Sequence, residues 1–393
     1  MRIVVAGAGI GGLSAALALA RSGHEVEVVE RSGVIGEVGA GLQLSPNAMK
    51  GLAALGVAEA AEAVSSEPEA LELRIGKSGG KVFTIPVGQA ARKRYGAPYL
   101  HIHRADLVDI LKTAAERAGV KIRLDARLAA FRREPDPAGL RIGLDTGDIM
   151  WADVLVGADG MRSTVRRLMF GAEHPRFTGA VAWRAIAPIE ACPDLPNAAV
   201  VWAGAGKHAV TYRIRGGALI NFVGVIEESD WQEEGWDKAG DKKELAAAFA
   251  GWAAPVTAVI GAARSCHRWA LFDRDPLARW SEGRVTLLGD ACHPMPPFQA
   301  QGAAMALEDA VVLARCLGGT DKPEAALLAY ESKRKKRTAK VLTSARSNMG
   351  VFHRSNFATQ AATYGPMRVA NTVLPAFVRS RQDWIYSYDP AND

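Results

Sequence analysis

Gly7-Ala8-Gly9-Ile10-Gly11-Gly12 has the residue types that let a backbone wrap a pyrophosphate. Gly7 allows the tight turn, Gly9 removes the Cβ that would stand in the ligand's way, and Gly12 lets a helix pack on a strand. A helix opening here adds unpaired N–H groups and positive potential for phosphate. Glu30, 18 residues beyond Gly12, is placed to accept hydrogen bonds from a ribose hydroxyl and to repel a 2′-phosphate. Two later segments set an acid beside glycine after an apolar run. Val154-Leu155-Val156 leads into Gly157-Ala158-Asp159-Gly160, and Val285-Thr286-Leu287-Leu288 leads into Gly289-Asp290-Ala291-Cys292-His293. Beyond Pro294, Pro296 and Pro297, Gln301-Gly302-Ala303-Ala304 opens a helix whose small residues let a flat ring lie against backbone.

These residues need elements behind them. Residues 2–6 read as a buried parallel strand, 13–22 as a helix ended by Gly23, and 24–30 as a second strand, together one β-α-β unit. The glycine-rich stretch from Gly36 to Ala48 is either backbone passing close to something flat or a flexible loop. Between about 178 and 269 the pattern changes to short strands over 180–189, 198–203, 208–215 and 218–226. Alternation puts Ala209, Thr211 and Arg213 on one face of the third, and Val210, Tyr212 and Ile214 on the other. Gly204-Ala205-Gly206 has no helix after it and reads as a hairpin turn, so no second nucleotide unit is expected. The predicted fold class is α/β: a Rossmann-like dinucleotide-binding domain over 1–177 and 270–345, an inserted antiparallel β-sheet substrate domain over 178–269, and C-terminal helices over 346–393.

Hydrophobic residues at 49% and charged residues at 23% exclude a disordered, fibrous or disulfide-scaffold chain. The apolar stretch over 3–20 is broken by glycines, so neither a membrane span nor a cleaved leader is expected. A net charge of +6 demands no nucleic-acid partner and suits anionic small molecules. The run Lys333-Arg334-Lys335-Lys336-Arg337 reads as the solvated face of a helix beginning near Lys322. Cys192, Cys266, Cys292 and Cys316 show no C-x-x-C or metal-ligand spacing. The expectation is a reducing, cytoplasmic location, no metal and no membrane, and a monomer or homodimer.

Taken together, the glycine fingerprint with Glu30, the Asp159-Gly160 segment and the Gly289-Asp290 segment resemble the group A flavoprotein monooxygenases, in order and spacing, over essentially the whole chain. His101-Ile102-His103-Arg104-Ala105-Asp106-Leu107, Ala182-Trp183-Arg184-Ala185 and Asp383-Trp384-Ile385-Tyr386 extend the likeness. The aromatic-ring hydroxylase branch includes salicylate hydroxylase, 3-hydroxybenzoate 6-hydroxylase and 6-hydroxynicotinate 3-monooxygenase. The resemblance implies FAD as cofactor, NADH or NADPH as cosubstrate, and oxygen transfer to a small hydroxylated aromatic ring through a flavin C4a-hydroperoxide. It further implies that Gly9, Gly11 and Gly12 meet the pyrophosphate, Glu30 the adenosine ribose, and Arg104 the phosphate and ribityl region, with Arg31 also on the cofactor. Leu128 would lie near the adenine, Asp290 on the ribityl chain, and Asp159 would support FAD and the visiting nicotinamide nucleotide. Gly302 and Ala303 would offer backbone N–H groups to the flavin pyrimidine.

The chain departs from these relatives in three places. A His-Tyr-Pro triplet of the family corresponds to Thr211-Tyr212-Arg213, and two further family histidines correspond to Gln43 and Phe298. Thr211 and Gln43 could bond a substrate hydroxyl, Arg213 could hold a carboxylate or favour a phenolate, and Phe298 could keep the site dry. His293 is expected to be structural, and His101 and His103 to serve packing. The loss of the family histidines keeps two alternatives open: a flavoprotein of this fold that inserts no oxygen, or a flavin-binding protein without turnover.

Overall fold

The computed structural model describes residues 1–36, 40–135, 139–173, 175–229 and 238–393. Its first layer is a six-stranded sheet in the order Ser281–Glu282, Val285–Leu287, Val154–Gly157, Arg2–Ala6, Glu25–Val29 and Lys121–Arg123. All neighbours are parallel except the 281–287 hairpin. Parallel strands are covered on both faces. Accordingly Ile3, Val4, Val5 and Ala6 are all buried. The helix Ile10–Arg21 returns across this sheet against the helix Gly302–Leu317. That approach requires glycine at 11, where a Cβ would stand 2.9 Å from Leu288 Cδ2 and 3.3 Å from Ala306 Cβ.

The second layer is an eight-stranded sheet, in the order Lys238–Ala239, Cys266–Asp273, Arg176–Pro188, Leu219–Glu227, Lys207–Ile214, Ala198–Gly204, Ala70–Ile75 and Lys81–Pro86. The expected strands over 178–269 are present, including the hairpin at Gly204 to Gly206. The sheet is nevertheless wider than that span, because Ala70–Ile75 and Lys81–Pro86 extend its edge. It is also mixed, since Ala198–Gly204 pairs in parallel with Ala70–Ile75. A sheet with one apolar face must bury it. Here the outer face, with Trp183, Trp202 and Phe222, packs under the helices Lys242–Ala248 and Ala254–Ala262 through Leu245, Val256 and Ile260.

The inner face looks toward the first layer. Its residues include Ala182, Arg184, Trp269, His208, Val210 and Tyr212 in neighbouring strands. The long helix Pro323–Phe352 runs beneath and brings Met349 and Phe352 to this face. Helices Phe357–Val373, Pro375–Ser380 and Asp383–Tyr386 close the chain. The basic run in the long helix is not wholly solvated as the sequence reading expects: Arg334 is buried completely and Arg337 mostly, because both turn inward to acids. Among the described residues no helix is long and apolar enough to cross a membrane.

Candidate active site

A cleft of about 1050 Å³ separates the two layers, at the upper end of the roughly 300–1,000 Å³ usual for small-molecule sites. Its walls carry Gly7, Gly9, Glu30, Arg31, Arg104, Leu128, Asp159, Arg184, Trp269 and Asp290. Gly7 has φ of 104°, and a Cβ there would stand 2.5 Å from the Ala158 carbonyl. A Cβ on Gly9 would meet nothing within 4 Å, so that backbone is bare toward the cleft. Gly12 faces away from the ligand side: its Cβ would lie 1.9 Å from Gly7 O, which makes it the packing glycine.

Glu30 holds the loop in shape, its carboxylate accepting from Ala8 N–H (2.8 Å) and Ser32 N–H (3.0 Å). Asp159 caps the helix Thr164–Phe170, accepting from Thr164 N–H (2.6 Å), Val165 N–H (3.1 Å) and the Ser163 hydroxyl. Burial nevertheless holds its carboxyl above the usual range, against those bonds. Asp290 is open to the cleft yet surrounded by protein. Desolvation raises its carboxyl above the ordinary range, while His293 and Arg104 pull it back. Gly11, Gly12, Gly302 and Ala303 are not among the residues that line the cleft. Gly302 and Ala303 form the first turn of Gly302–Leu317, where no side chain caps the backbone N–H groups. Ala300, just before it, is held in the left-handed region at φ of 52°.

That helix start rests on a buried polar lattice. The Gln301 amide donates to Ser45 Oγ (2.9 Å), Asn47 donates to Gln301 (3.0 Å) and to Glu308 (2.7 Å), and Arg337 and Arg334 both pair with Glu308. Asp309 binds Arg334 Nε (2.7 Å), His293 Nε2 (2.5 Å) and Gly289 N–H (3.2 Å). Burial opposes charge on His293, but Cys292 and Asp309 outweigh it and hold the imidazole well above its ordinary value. Cys292, His293 and Asp309 cluster as metal ligands could, yet the carboxylate is already met by two cationic side chains. His293 is thus tied into this lattice through Asp309.

The predicted catalytic residues divide by sheet face. Thr211 accepts from Trp202 Nε1 (2.9 Å) in the outer core, and Arg213 donates to the Leu195 carbonyl on that same side. Both assignments are corrected: alternation along Lys207–Ile214 turns them from the cleft and presents His208, Val210 and Tyr212 instead. Phe298 does reach the inner face, 5.6 Å from the His208 ring and among Ala182, Val225 and Trp269. Gln43 accepts from the Tyr99 hydroxyl (2.6 Å), on the two-stranded ladder of Gly41–Leu44 with Leu100–His103. Gly41 N–H donates to Asn221 Oδ1 (2.7 Å) and its missing Cβ admits Tyr212. Glu37, Val38 and Gly39 of the glycine-rich stretch lie outside the described residues.

His208 is the residue that the sequence reading missed. It is 2% exposed, between Phe298 and Phe352. Its Nδ1 lies 2.6 Å from His353 Nε2, and His353 Nδ1 lies 2.8 Å from Glu227 Oε1. Nδ1 is the ring nitrogen of His208 that is hydrogen-bonded among the described residues. The available signal was the four-residue spacing of His208 and Tyr212, which puts both on one strand face. His101 stacks 4.5 Å from Tyr212 and is driven down to about 3 by burial, against a backbone hydrogen bond of Arg213.

The FAD binding domain family matches residues 1–345. The chain belongs to this FAD-binding family. It is 39% identical to the 3-amino-4-hydroxybenzoate 2-monooxygenase of Streptomyces platensis, across 99% of this chain and 96% of that one. It is also 39% identical to a 3-hydroxybenzoate 6-hydroxylase of Klebsiella oxytoca, covering 90% and 89%. The crystal structure of Klebsiella pneumoniae HpxO complexed with FAD and uric acid superposes with a TM-score of 0.84 at 28% identity, covering 96% and 95%. Gly7, Gly9, Glu30, Arg104 and Asp290 on one continuous cleft fit such a cofactor. This family member is an FAD-dependent aromatic monooxygenase.

Proposed function

We propose that this enzyme hydroxylates a phenolic aromatic acid and that His208 takes the proton of the ring hydroxyl. When bound and reduced by NADH or NADPH, FAD would supply the activation of O2, one atom of which goes to the ring and the other to water. The bare backbone at Gly9 would receive the pyrophosphate, Glu30 with Arg31 the adenosine end, and Leu128 the adenine. Arg104 and Asp290 would hold the cofactor's polar middle, with Asp159 beside them, and the uncapped N–H groups of Gly302 and Ala303 in the first turn of Gly302–Leu317 would stabilise negative charge on the flavin. Phe298 and Phe352 keep water from the ring.

A ring attacked by an electrophilic oxygen reacts faster as phenolate than as phenol, so a base at its hydroxyl is useful. The observation that carries this reading is His208: a buried imidazole on the sheet face that also carries Trp269 of the cleft wall, with Nδ1 as its hydrogen-bonded nitrogen. The two relatives named above act on hydroxybenzoates, which supports an acid of that kind. The test is a panel of hydroxybenzoates, aminohydroxybenzoates and hydroxylated N-heteroaromatic acids, each with NADH and with NADPH. One compound should give cosubstrate oxidation, oxygen uptake and a product gaining one oxygen atom in equal amounts. Stimulated oxidation with only hydrogen peroxide formed, for every compound, would overturn hydroxylation in favour of a non-inserting flavoprotein.

A further inference from the structure

We propose that His353 and Glu227 form the route by which a proton taken up by His208 leaves for solvent. The proposal rests on the reading of His208 as base. The three groups lie in series, 2.6 Å and 2.8 Å apart. They come from three distant parts of the chain: the strand Lys207–Ile214, the C-cap of the long helix, and the end of the strand Leu219–Glu227. Both imidazoles are buried, the His353 side chain to 2% exposure, whereas the Glu227 side chain is 49% exposed. The chain thus begins at the aromatic wall and ends in water.

The carboxylate fixes the tautomers. A carboxylate oxygen only accepts, so His353 carries its proton on Nδ1 and offers Nε2 as an acceptor. His208 must then donate from Nδ1, which leaves its Nε2 lone pair as the base. Both rings are buried, and burial pushes both below the ordinary imidazole range, His208 further by its proximity to His353, while Glu227 partly restores His353. A ring that resists a second proton cannot store the one it accepts, so it must pass one on as it receives one.

The transfer balances without any redox partner. The substrate O–H breaks as a bond forms at His208 Nε2. The His208 Nδ1–H passes to His353 Nε2, the His353 Nδ1–H passes to Glu227 Oε1, and Glu227 releases it to water. Both rings end neutral, in the opposite tautomers. Run in reverse, the chain returns a proton to the product oxygen and restores them. Other ionisable groups nearby are engaged elsewhere or lie outside the series. Glu228 is paired with Arg268 (2.7 and 2.8 Å) and Tyr364 donates to the Val351 carbonyl (2.9 Å). Arg354 follows His353 in sequence and leaves the three-group series uninterrupted.

The test uses FAD-loaded enzyme and 4-hydroxy-3-nitrobenzoate, a phenolic acid that turns yellow on ionising. Stopped-flow mixing reads how fast bound phenolate appears below about pH 6, where the free probe is still mostly the phenol. His353→Gln should slow it by about a hundredfold, the lower end of what a lost proton-transfer partner costs, and Glu227→Gln, which water can partly replace at the exposed end, by less than that. Flavin content and probe affinity should be unchanged. Added imidazole should restore part of the rate in His353→Ala, which a merely structural role would not show. If His208→Gln is slow while the His353 and Glu227 variants match wild type in rate and pH profile, the relay is overturned and the base stands. If His208→Gln itself matches wild type, or the wild type binds the probe without ionising it, the base reading fails and the relay with it.

Discussion

Asp309→Asn tests how the buried lattice supports the cofactor turn. The wild-type carboxylate meets Arg334 at 2.7 Å, His293 at 2.5 Å and the Gly289 N–H at 3.2 Å, with no exposure of the Asp309 side chain. The amide has the same shape but no charge, and its NH2 faces a donor wherever it turns. Breaking a buried ion pair costs about 3–5 kcal/mol. Arg334 keeps Glu308 at 2.7 Å, so the lower end applies, about 3 kcal/mol, or roughly a hundredfold in the folding equilibrium. Gly289 immediately precedes Asp290, so the variant should also shed flavin. The assay is a urea titration of the loaded enzyme followed by tryptophan fluorescence, with flavin content measured after gel filtration. The pH dependence has a defined sign. His293 is raised in the folded state, so its contribution is complete below about 6.5 and is lost as pH climbs through the raised value. Burial raises the Asp309 carboxyl, but His293 and Arg334 outweigh that and lower it, so its own contribution disappears only as pH falls through the depressed value. In the variant the alkaline loss should flatten. A cost under about 1 kcal/mol, with wild-type flavin content and an unchanged alkaline limb, would refute the reasoning.

Asp290→Ala should lose most of its flavin on gel filtration, because the cleft floor then lacks its acid; full flavin content would remove Asp290 from the site. Gly12→Ala places a Cβ 1.9 Å from the Gly7 carbonyl and should lower thermal stability and flavin content together, since neither atom belongs to a flexible side chain. Arg213→Ala should leave the Michaelis constant of the accepted ring compound within twofold while costing about 1–3 kcal/mol of stability in a urea titration, its guanidinium being bonded to Leu195 on the outer face. A raised Michaelis constant at unchanged stability would return Arg213 to the substrate.

Local signals made the cofactor half legible. The loop over Gly7 to Gly12, the acid at Glu30, and the two later strand-acid-glycine segments are each contiguous, and backbone chemistry alone explains why they take their residue types. What stayed hidden was assembled across the chain. Period-two alternation divides Lys207–Ile214 into two faces without saying which is covered by helices. That depends on Leu245, Val256 and Ile260, which pack on the Thr211 side. Arg334 could not be told from its solvated neighbours in the basic run, because its acids, Glu308 and Asp309, are on another helix.

The same logic explains how the enzyme can lack histidine at 43, 211 and 298 and still have a base. What the chemistry needs is an imidazole nitrogen at the substrate hydroxyl, and the sheet can supply it from any inward position on the strand. His208 is three residues before Thr211, so the odd spacing carries it to the opposite face from Thr211 and onto the one that lines the cleft. Phe298 then makes physical sense as a partner: an aromatic ring 5.6 Å away excludes water from a neutral imidazole without competing for its lone pair. A second histidine at 298 would compete for that proton, whereas the histidine at 353 takes it from the far side of the ring. Replacing the phenyl ring with an imidazole, Phe298→His, should therefore leave folding intact while slowing hydroxylation.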